Sequence, residues 1–141
     1  MIYLDTSVVL PFYLPEVLSQ TVEQFFRTES ELAISQLVEV EFFSAISRRL
    51  RMAEITPEQA RQIATLFQNH LADSFYTRFP VEPIHYDCAR DWISQFNTAL
   101  RTLDALHLAI AASHELPLIT ADERLAQVAD ALGVVYQLLA A

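Results

Sequence analysis

Short apolar segments alternate with longer helix-patterned stretches along this chain, and the alternation constrains its fold more than any other feature. We expect strands over Ile2–Asp5, Leu32–Ser35, Val81–Ile84, Pro117–Thr120 and Val134–Gln137. We expect helices over Glu16–Thr28, Ser35–Arg51, Thr56–Arg78, Tyr86–Ala99, Thr102–His114 and Asp122–Leu132. Strands separated by helices form a parallel sheet that is covered on both faces. The sequence therefore predicts a three-layer α/β/α sandwich with a central, mainly parallel sheet, in a single domain spanning residues 1–141.

The composition excludes several classes of enzyme. All nine basic residues are arginines, so there is no lysine for a phosphate-binding loop, a Schiff base or a lysine general base. The only glycine is Gly133, which excludes a glycine-rich dinucleotide loop, and the only cysteine is Cys88, which excludes an internal disulfide. The net charge of −9 gives no overall attraction to nucleic acid. A nucleic-acid substrate would therefore require metal ions, local arginines or a second chain.

The chain also carries no pattern that indicates a membrane or an export route. No apolar run approaches the ~18 residues of a membrane span. Met1 leads directly into Ile2–Asp5, without the basic and apolar segments of a signal peptide. We therefore expect a cytoplasmic protein.

Four acidic residues are the candidates for a functional site. Asp5 and Asp122 each follow a predicted strand, so we expect both at the edge of the sheet where ligands bind in open parallel sheets. Asp104 lies in the first turn of a helix that Thr102 can cap. Glu41 lies on an apolar helical stripe, but Glu39 lies on an equally apolar one, and periodicity does not choose between them.

Each of these acids also has a purely structural interpretation. Asp5 and Asp122 are placed where they can cap the helices that follow them, and Asp104 where it can complement a helix dipole. Glu41 is placed to pair with Arg48 on its own helix or with an arginine outside that helix. Helix capping accounts for Asp5 and Asp122 but leaves Glu41 unexplained, so a shared site accounts for more of the pattern.

The segments around the four acids resemble a known family. Met1-Ile2-Tyr3-Leu4-Asp5-Thr6-Ser7 resembles the first acidic motif of PIN domains, specifically of VapC-type toxins from bacterial toxin–antitoxin pairs. The remaining motifs of that family resemble Ser35-Gln36-Leu37-Val38-Glu39-Val40-Glu41, Leu103-Asp104-Ala105-Leu106-His107-Leu108-Ala109 and Leu118-Ile119-Thr120-Ala121-Asp122. In the second motif, the spacing from Ser35 selects Glu41 over Glu39. The resemblance spans nearly the whole chain, although the helical region Thr56–Phe79 carries no recognisable motif.

The resemblance implies a metal-dependent endoribonuclease that acts as a toxin and leaves a 5′-phosphate and a 3′-hydroxyl. Asp5, Glu41, Asp104 and Asp122 would hold one or two Mg²⁺ or Mn²⁺ ions, which suit all-oxygen sites. Ser7 and Thr120 would orient water or a carboxylate. The implied partners are an RNA substrate, a cognate antitoxin that blocks the acidic site and a second copy of the chain.

Further residues and other functions also fit parts of this pattern. Arg48, Arg49 and Arg51 form the one basic cluster, which is placed to contact RNA or an acidic partner segment or to complement a helix dipole. His107 follows Asp104 by three residues, and a hydrogen-bonded buried histidine is favoured there over a metal ligand. The main alternative function is a PIN-like binding module that acts through its antitoxin. A scaffold with capping aspartates is a third.

Overall fold

The structure, a computed structural model, describes residues 1–141 and contains one five-stranded sheet. The strands are β1 (Ile2–Leu4), β2 (Leu32–Ser35), β3 (Thr77–Phe79), β4 (Leu118–Thr120) and β5 (Tyr136–Leu138). Their order is β3-β2-β1-β4-β5, and every neighbouring pair is parallel. Tyr3 lies opposite Ala33 on one side and Leu118 on the other, which places β1 at the centre.

Seven helices surround this sheet. They are α1 (Thr6–Tyr13), α2 (Ser19–Thr28), α3 (Gln36–Arg51), α4 (Pro57–Ala72), α5 (Pro83–Ile93), α6 (Thr102–Ser113) and α7 (Glu123–Ala131). Every residue of β1, β2 and β4 is buried, so both faces of the sheet are covered, whereas the edge strand β5 is exposed. The predicted α/β architecture is confirmed. No helix combines the length and apolar character needed to cross a bilayer.

The prediction is wrong in the region before α5. The expected strand over Val81–Ile84 does not form, and the strand beside β2 lies earlier, at Thr77–Phe79. Pro83 instead begins α5, because the first turn of a helix needs no N–H from that residue. The preceding helix, expected to reach Arg78, ends at Ala72, and Ser74 then adopts a positive φ of 58°.

Aromatic side chains fill the core between α1, α3 and α4. The rings of Phe42 and Phe67 stack with their centroids 3.9 Å apart, and Tyr13 meets both edge-on. Such aromatic pairs contribute about 0.5–1.5 kcal/mol each beyond the area that they bury. Phe42 and Phe67 are fully buried, so they belong to the core and are not a platform on which bases stack.

Candidate active site

Asp5 lies at the end of the central strand, beside the end of β4. The β1–β4 register pairs Leu4 with Ile119, which brings the next residues, Asp5 and Thr120, next to each other. The hydroxyl of Thr120 donates to Oδ2 of Asp5 at 2.5 Å, and the hydroxyl of Ser7 donates to Oδ1 at 2.5 Å. Asp5 occupies the N-cap position of α1, but its side chain makes no capping hydrogen bond.

Backbone groups fix the direction of both hydroxyl bonds. The N–H of Ala121 donates to Oγ of Ser7 at 2.9 Å, and the N–H of Asp122 donates to Oγ1 of Thr120 at 3.1 Å. Backbone N–H groups only donate, so each hydroxyl accepts there and is free to donate to Asp5. With both hydroxyl hydrogens committed, the 3.4 Å contact between Ser7 and Thr120 is not a hydrogen bond. Asp5 is therefore surrounded by donors, the arrangement that a carboxylate requires.

The structure distinguishes the two glutamates of α3. Oε1 of Glu41 accepts from the Thr6 hydroxyl at 2.7 Å and lies 2.6 Å from Nε2 of His107. Burial raises the pKa of Glu41, but the hydrogen bond and charge of His107, followed by Thr6, bring that pKa below its ordinary value. Glu39 points elsewhere and makes two hydrogen bonds with Arg78, at 2.7 and 3.1 Å.

His107 belongs to a buried chain of hydrogen bonds. Its Nδ1 lies 2.8 Å from the Tyr3 hydroxyl, which lies 2.8 Å from Oγ of Ser35. Ser35, Tyr3 and His107 are all buried. Ser35 stands at the N-cap position of α3 but forms no capping bond, because its hydroxyl is directed at Tyr3. The helix expected over Ser35–Arg51 therefore begins at Gln36, with Ser35 as its N-cap residue.

Asp104 and Asp122 line one pocket of ≈ 130 Å³ together with Arg101 and Arg124. Asp122 caps α7, and its Oδ1 accepts from the backbone N–H groups of Arg124 and Leu125 at 2.9 and 3.3 Å. The capping interpretation of Asp122 is thus correct, and it leaves Oδ2 of this residue without a protein donor. Arg101, and not Thr102, occupies the N-cap position of α6.

The electrostatics of Asp104 tie it to the other acids. Burial raises the pKa of the Asp104 carboxyl, and the negative charges of Asp122 and Glu41 raise it further. The positive charges of His107 and Arg101 oppose this increase. No hydrogen bond contributes to the shift, so Asp104 is a half-buried carboxyl among like charges without a donor of its own.

Burial likewise raises the pKa of Asp5, against the opposing effects of the His107 charge and the Ser7 and Thr120 hydroxyls. A cation among these carboxylates would reverse such shifts by favouring the charged forms. The four predicted acids thus fall into two groups. Asp5 and Glu41 are held by donors, and Asp104 and Asp122 share the pocket.

The donor set suits a hard divalent cation. Both oxygens of Asp104, Oδ2 of Asp122 and Oε2 of Glu41 accept no hydrogen bond from the protein. Mg²⁺ and Mn²⁺ prefer oxygen ligands, and Mg²⁺ commonly binds through one or two carboxylates while keeping several waters. No three of the His, Cys, Asp and Glu side chains are arranged to hold a metal ion by themselves. The residues therefore fit a site in which waters or substrate complete the coordination.

The predicted basic cluster lies away from these acids. Arg48 is seven residues beyond Glu41 on α3, about 10 Å along the helix axis, and none of the three arginines lines the pocket of Asp104 and Asp122. Arg49 forms ion pairs with Glu16 and Glu54 at 3.4 and 3.2 Å, and Arg51 donates to a serine one turn earlier.

The arginines that line the acidic pocket, Arg101 and Arg124, were not predicted as site residues. The sequence does carry a signal for them. Arg101 precedes Asp104 by three residues, one helical turn, and Arg124 follows Asp122 by two. Charged residues this near to candidate acids belong in a predicted site.

Comparison with known proteins identifies the family. The family model of the PIN domain matches residues 2–131. The chain belongs to the PIN domain family. Ribonuclease VapC35 of Mycobacterium tuberculosis is 33% identical over 141 residues, covering 95% of this chain and 93% of the relative. The predicted resemblance to VapC proteins is confirmed.

Solved structures show the same PIN fold. The sarcin–ricin-loop-cleaving toxin VapC20 of Mycobacterium tuberculosis superposes with a TM-score of 0.74 at 16% identity, covering 96% of this chain and 97% of that one. DNA-bound VapBC from Salmonella typhimurium gives a TM-score of 0.70 at 15% identity, covering 97% and 98% of the two chains. At these identities the likeness concerns the fold alone.

Proposed function

We propose that this PIN-domain protein is a metal-dependent endoribonuclease and acts as the toxin of a toxin–antitoxin pair. The observation that carries the proposal is the environment of Asp104. This carboxyl shares a pocket with Asp122, has a pKa raised by burial and by neighbouring acids, and accepts no protein hydrogen bond. Acids gathered in this way require a cation to ionise together. The name of the full-length relative, Ribonuclease VapC35, supports RNA as the substrate.

The proposed ligands of Mg²⁺ or Mn²⁺, directly or through bound waters, are Asp5, Glu41, Asp104 and Asp122. When bound, one or two such ions would supply a water of lowered pKa and stabilise negative charge on the phosphodiester. Ser7 and Thr120 oppose the effect of burial and favour the ionised form of Asp5 that ligation needs, since both of its oxygens accept from hydroxyl donors. The products would carry a 5′-phosphate and a 3′-hydroxyl.

Two arginines at the acidic pocket provide local positive charge for RNA binding in a protein whose net charge is −9. Arg101 and Arg124 are exposed side chains at the pocket that holds Asp104 and Asp122. Guanidinium groups there would contact RNA phosphates next to the bond that is cleaved. The Arg48, Arg49 and Arg51 cluster does not line the pocket of Asp104 and Asp122, and we propose that it contacts an acidic partner segment or more remote phosphates.

The proposed partners follow from the family. Solved relatives include VapBC from Salmonella typhimurium in a DNA-bound form and a toxin–antitoxin complex from Klebsiella pneumoniae. By analogy, we assign this chain a cognate antitoxin that blocks the acidic site and a homodimeric state. A ribonuclease toxin that acts on cellular RNA would work in the cytoplasm.

The proposal is tested by incubating the purified protein with total cellular RNA in Mg²⁺, in Mn²⁺ and in a chelator. Asp104→Asn is compared with wild type, and Asp130→Asn serves as a matched control because Asp130 is an exposed acid outside the pocket. We expect discrete fragments with wild type and Asp130→Asn in the presence of metal, and none with Asp104→Asn or with the chelator. Cleavage that persists in the chelator or in Asp104→Asn contradicts the proposed site. A folded protein that binds metal and its antitoxin but cleaves no RNA is a binding module.

A further inference from the structure

The hydrogen-bond chain Ser35–Tyr3–His107–Glu41 ends on a carboxylate of the proposed site and includes no hydrogen bond to another acid. Tyr3 comes from the centre of the sheet, Ser35 from the end of β2 and His107 from α6. Each side chain of the first three is buried, and no buried polar side-chain atom of the protein lacks a hydrogen-bond partner. Elements distant in sequence thus converge on one bond, the 2.6 Å contact between His107 and Glu41.

The direction of that last bond does not depend on the charge of the imidazole. A carboxylate oxygen only accepts, so Nε2 of His107 carries the hydrogen in the contact with Glu41. In the neutral ring, Nδ1 is then an acceptor for the Tyr3 hydroxyl, and the Tyr3 oxygen accepts in turn from Ser35. The ring is held from both sides, which fixes its plane and the position of Nε2.

The consequence for Glu41 is that its two oxygens are not equivalent. Oε1 accepts from both the Thr6 hydroxyl and His107, and these two bonds occupy the acceptor capacity of that oxygen. Oε2 accepts no bond and is the oxygen left for a ligand. Partners behind a ligating side chain orient it, and their mutation typically lowers metal affinity or activity about 10–100-fold.

We infer that His107, held in place by Tyr3 and Ser35, is a positioning residue that turns Glu41 so that only Oε2 is presented to the cation. This role rests on the proposed metal-dependent function. It differs from metal ligation by His107, because both ring nitrogens are already engaged within the protein. It also differs from a purely structural role, because the hydrogen-bond chain ends on a partly exposed carboxylate whose second oxygen, Oε2, accepts no hydrogen bond.

The test measures Mn²⁺ affinity by calorimetry and the ring nitrogens of His107 by ¹⁵N NMR, both without RNA. Tyr3→Phe removes the phenol that holds Nδ1, His107→Leu removes the donor to Glu41, and His107→Gln restores an amide donor at that end. Tyr13→Phe is the matched control, since it also removes a buried hydroxyl, one bonded to Tyr76 and His70.

We expect Nε2 of His107 to be protonated in the wild type, and the Nδ1 signal to move in Tyr3→Phe. Mn²⁺ should bind about 10-fold more weakly to Tyr3→Phe and about 100-fold more weakly to His107→Leu. His107→Gln should fall between His107→Leu and wild type, and Tyr13→Phe should match wild type.

An unprotonated Nε2 overturns the inference, as does wild-type Mn²⁺ affinity in folded Tyr3→Phe and His107→Leu. If His107→Leu does not fold, wild-type Mn²⁺ affinity in folded Tyr3→Phe overturns the inference by itself. Wild-type protein that binds no Mn²⁺ and cleaves no RNA overturns the proposed function, and the inference with it. If the wild-type protein binds Mn²⁺ and cleaves RNA, and Tyr3→Phe and His107→Leu bind Mn²⁺ as tightly as wild type, the inference alone is overturned.

Discussion

Thr120 and Asp5 lie side by side at the ends of β4 and β1, and the Thr120 hydroxyl donates to Oδ2 of Asp5 at 2.5 Å. Thr120 is fully buried and Asp5 nearly so. The backbone N–H of Asp122 donates to the same hydroxyl, so one threonine links the carboxylate at the end of the central strand to the acid that caps α7. The parallel register of two neighbouring strands is therefore what places two of the candidate acids near each other.

Thr120→Val tests the importance of this bond with little change in shape. The valine leaves an oxygen of Asp5 and the N–H of Asp122 without their partner, and an unsatisfied buried group costs about 1–3 kcal/mol. We expect urea denaturation in a chelator to show a free energy of unfolding lower by about that amount. We also expect weaker RNA cleavage in a separate assay with Mg²⁺. Thr120→Ser keeps the hydroxyl and should retain most of the activity. Equal activity in the valine and wild-type proteins would contradict a role for this hydroxyl.

Asp104→Asn should not destabilise the metal-free protein. The pKa of Asp104 is raised in the folded state, so the native protein binds this proton more tightly than the unfolded chain does. Wild-type stability should therefore fall as pH rises from the ordinary aspartate value of about 3.9 through the folded pKa. The asparagine variant lacks this loss, so its Tm in a chelator should equal or exceed that of wild type above this range.

Added Mn²⁺ provides the second half of that measurement. A ligand that binds only the folded state raises its stability, so Mn²⁺ should raise the Tm of wild type. It should raise the Tm of Asp104→Asn much less. Unfolding of Asp104→Asn in the chelator would instead assign Asp104 a structural role.

Alanine variants of the two α3 glutamates should separate them clearly. Glu41→Ala should lose metal-dependent cleavage, because Glu41 contacts His107 and Thr6 at the acidic site. Glu39→Ala removes only the partly exposed pair with Arg78, and should change the free energy of unfolding by no more than about 1 kcal/mol. The measurement is an RNA cleavage assay of each variant with Mg²⁺. Loss of activity in Glu39→Ala alone would reverse the assignment.

The sequence predicts the sheet better than the region that closes it. Apolar runs such as Leu32–Ser35 become fully buried strands because both faces of the sheet are covered, and burial leaves a plain signal in the residues. β3 is an edge strand with two exposed residues, Thr77 and Arg78, so it lacks that signal. From the sequence alone, Pro83 indicates a broken strand. In the structure it begins α5, whose first turn is closed by a capping box between Glu82 and His85.

The site shows the same limit. The positions of Asp5 and Asp122 after strands follow from the sequence, and the family resemblance selects Glu41. The Tyr3–His107 bond joins residues 104 positions apart, and no local pattern predicts such a contact. Single-domain organisation over 1–141, metal ligation by the four acids and the number of ions stay predictions.

Acidic pH should destabilise the protein through His85. This buried ring accepts at Nδ1 from the N–H of Glu82 and lies 2.9 Å from Oγ of Ser113 at Nε2. Burial lowers its pKa, the charge of His114 lowers it further, and Glu82 opposes both. The unfolded chain, with a histidine pKa of about 6.5, then binds the proton more tightly than the folded protein does. The contribution of neutral His85 to stability is therefore fully present above that pH and is lost as the pH falls below it.

The measurement is the Tm between about pH 5 and pH 8 in a chelator, for wild type and His85→Gln. Burial also lowers the pKa of His70, so His85→Gln should reduce the acid-side decline without abolishing it. An unchanged decline in a folded His85→Gln protein would show that His85 does not cause it.

Arg101 and Arg124 should determine how tightly RNA is held at the acidic pocket. Arg101→Gln and Arg124→Gln each remove a guanidinium beside Asp104 and Asp122, so we expect a higher KM for a single-stranded RNA substrate. Removing one arginine–phosphate interaction should reduce the slope of log affinity against log salt by about 0.7. Arg61→Gln is the matched control, because Arg61 is an exposed arginine paired with Glu58 on α4.

RNA binding by these variants in an inactive Asp104→Asn background, measured across a salt series, gives this slope without cleavage. An unchanged slope in both arginine variants, with a reduced slope in Arg48→Gln, would move the RNA path to the end of α3.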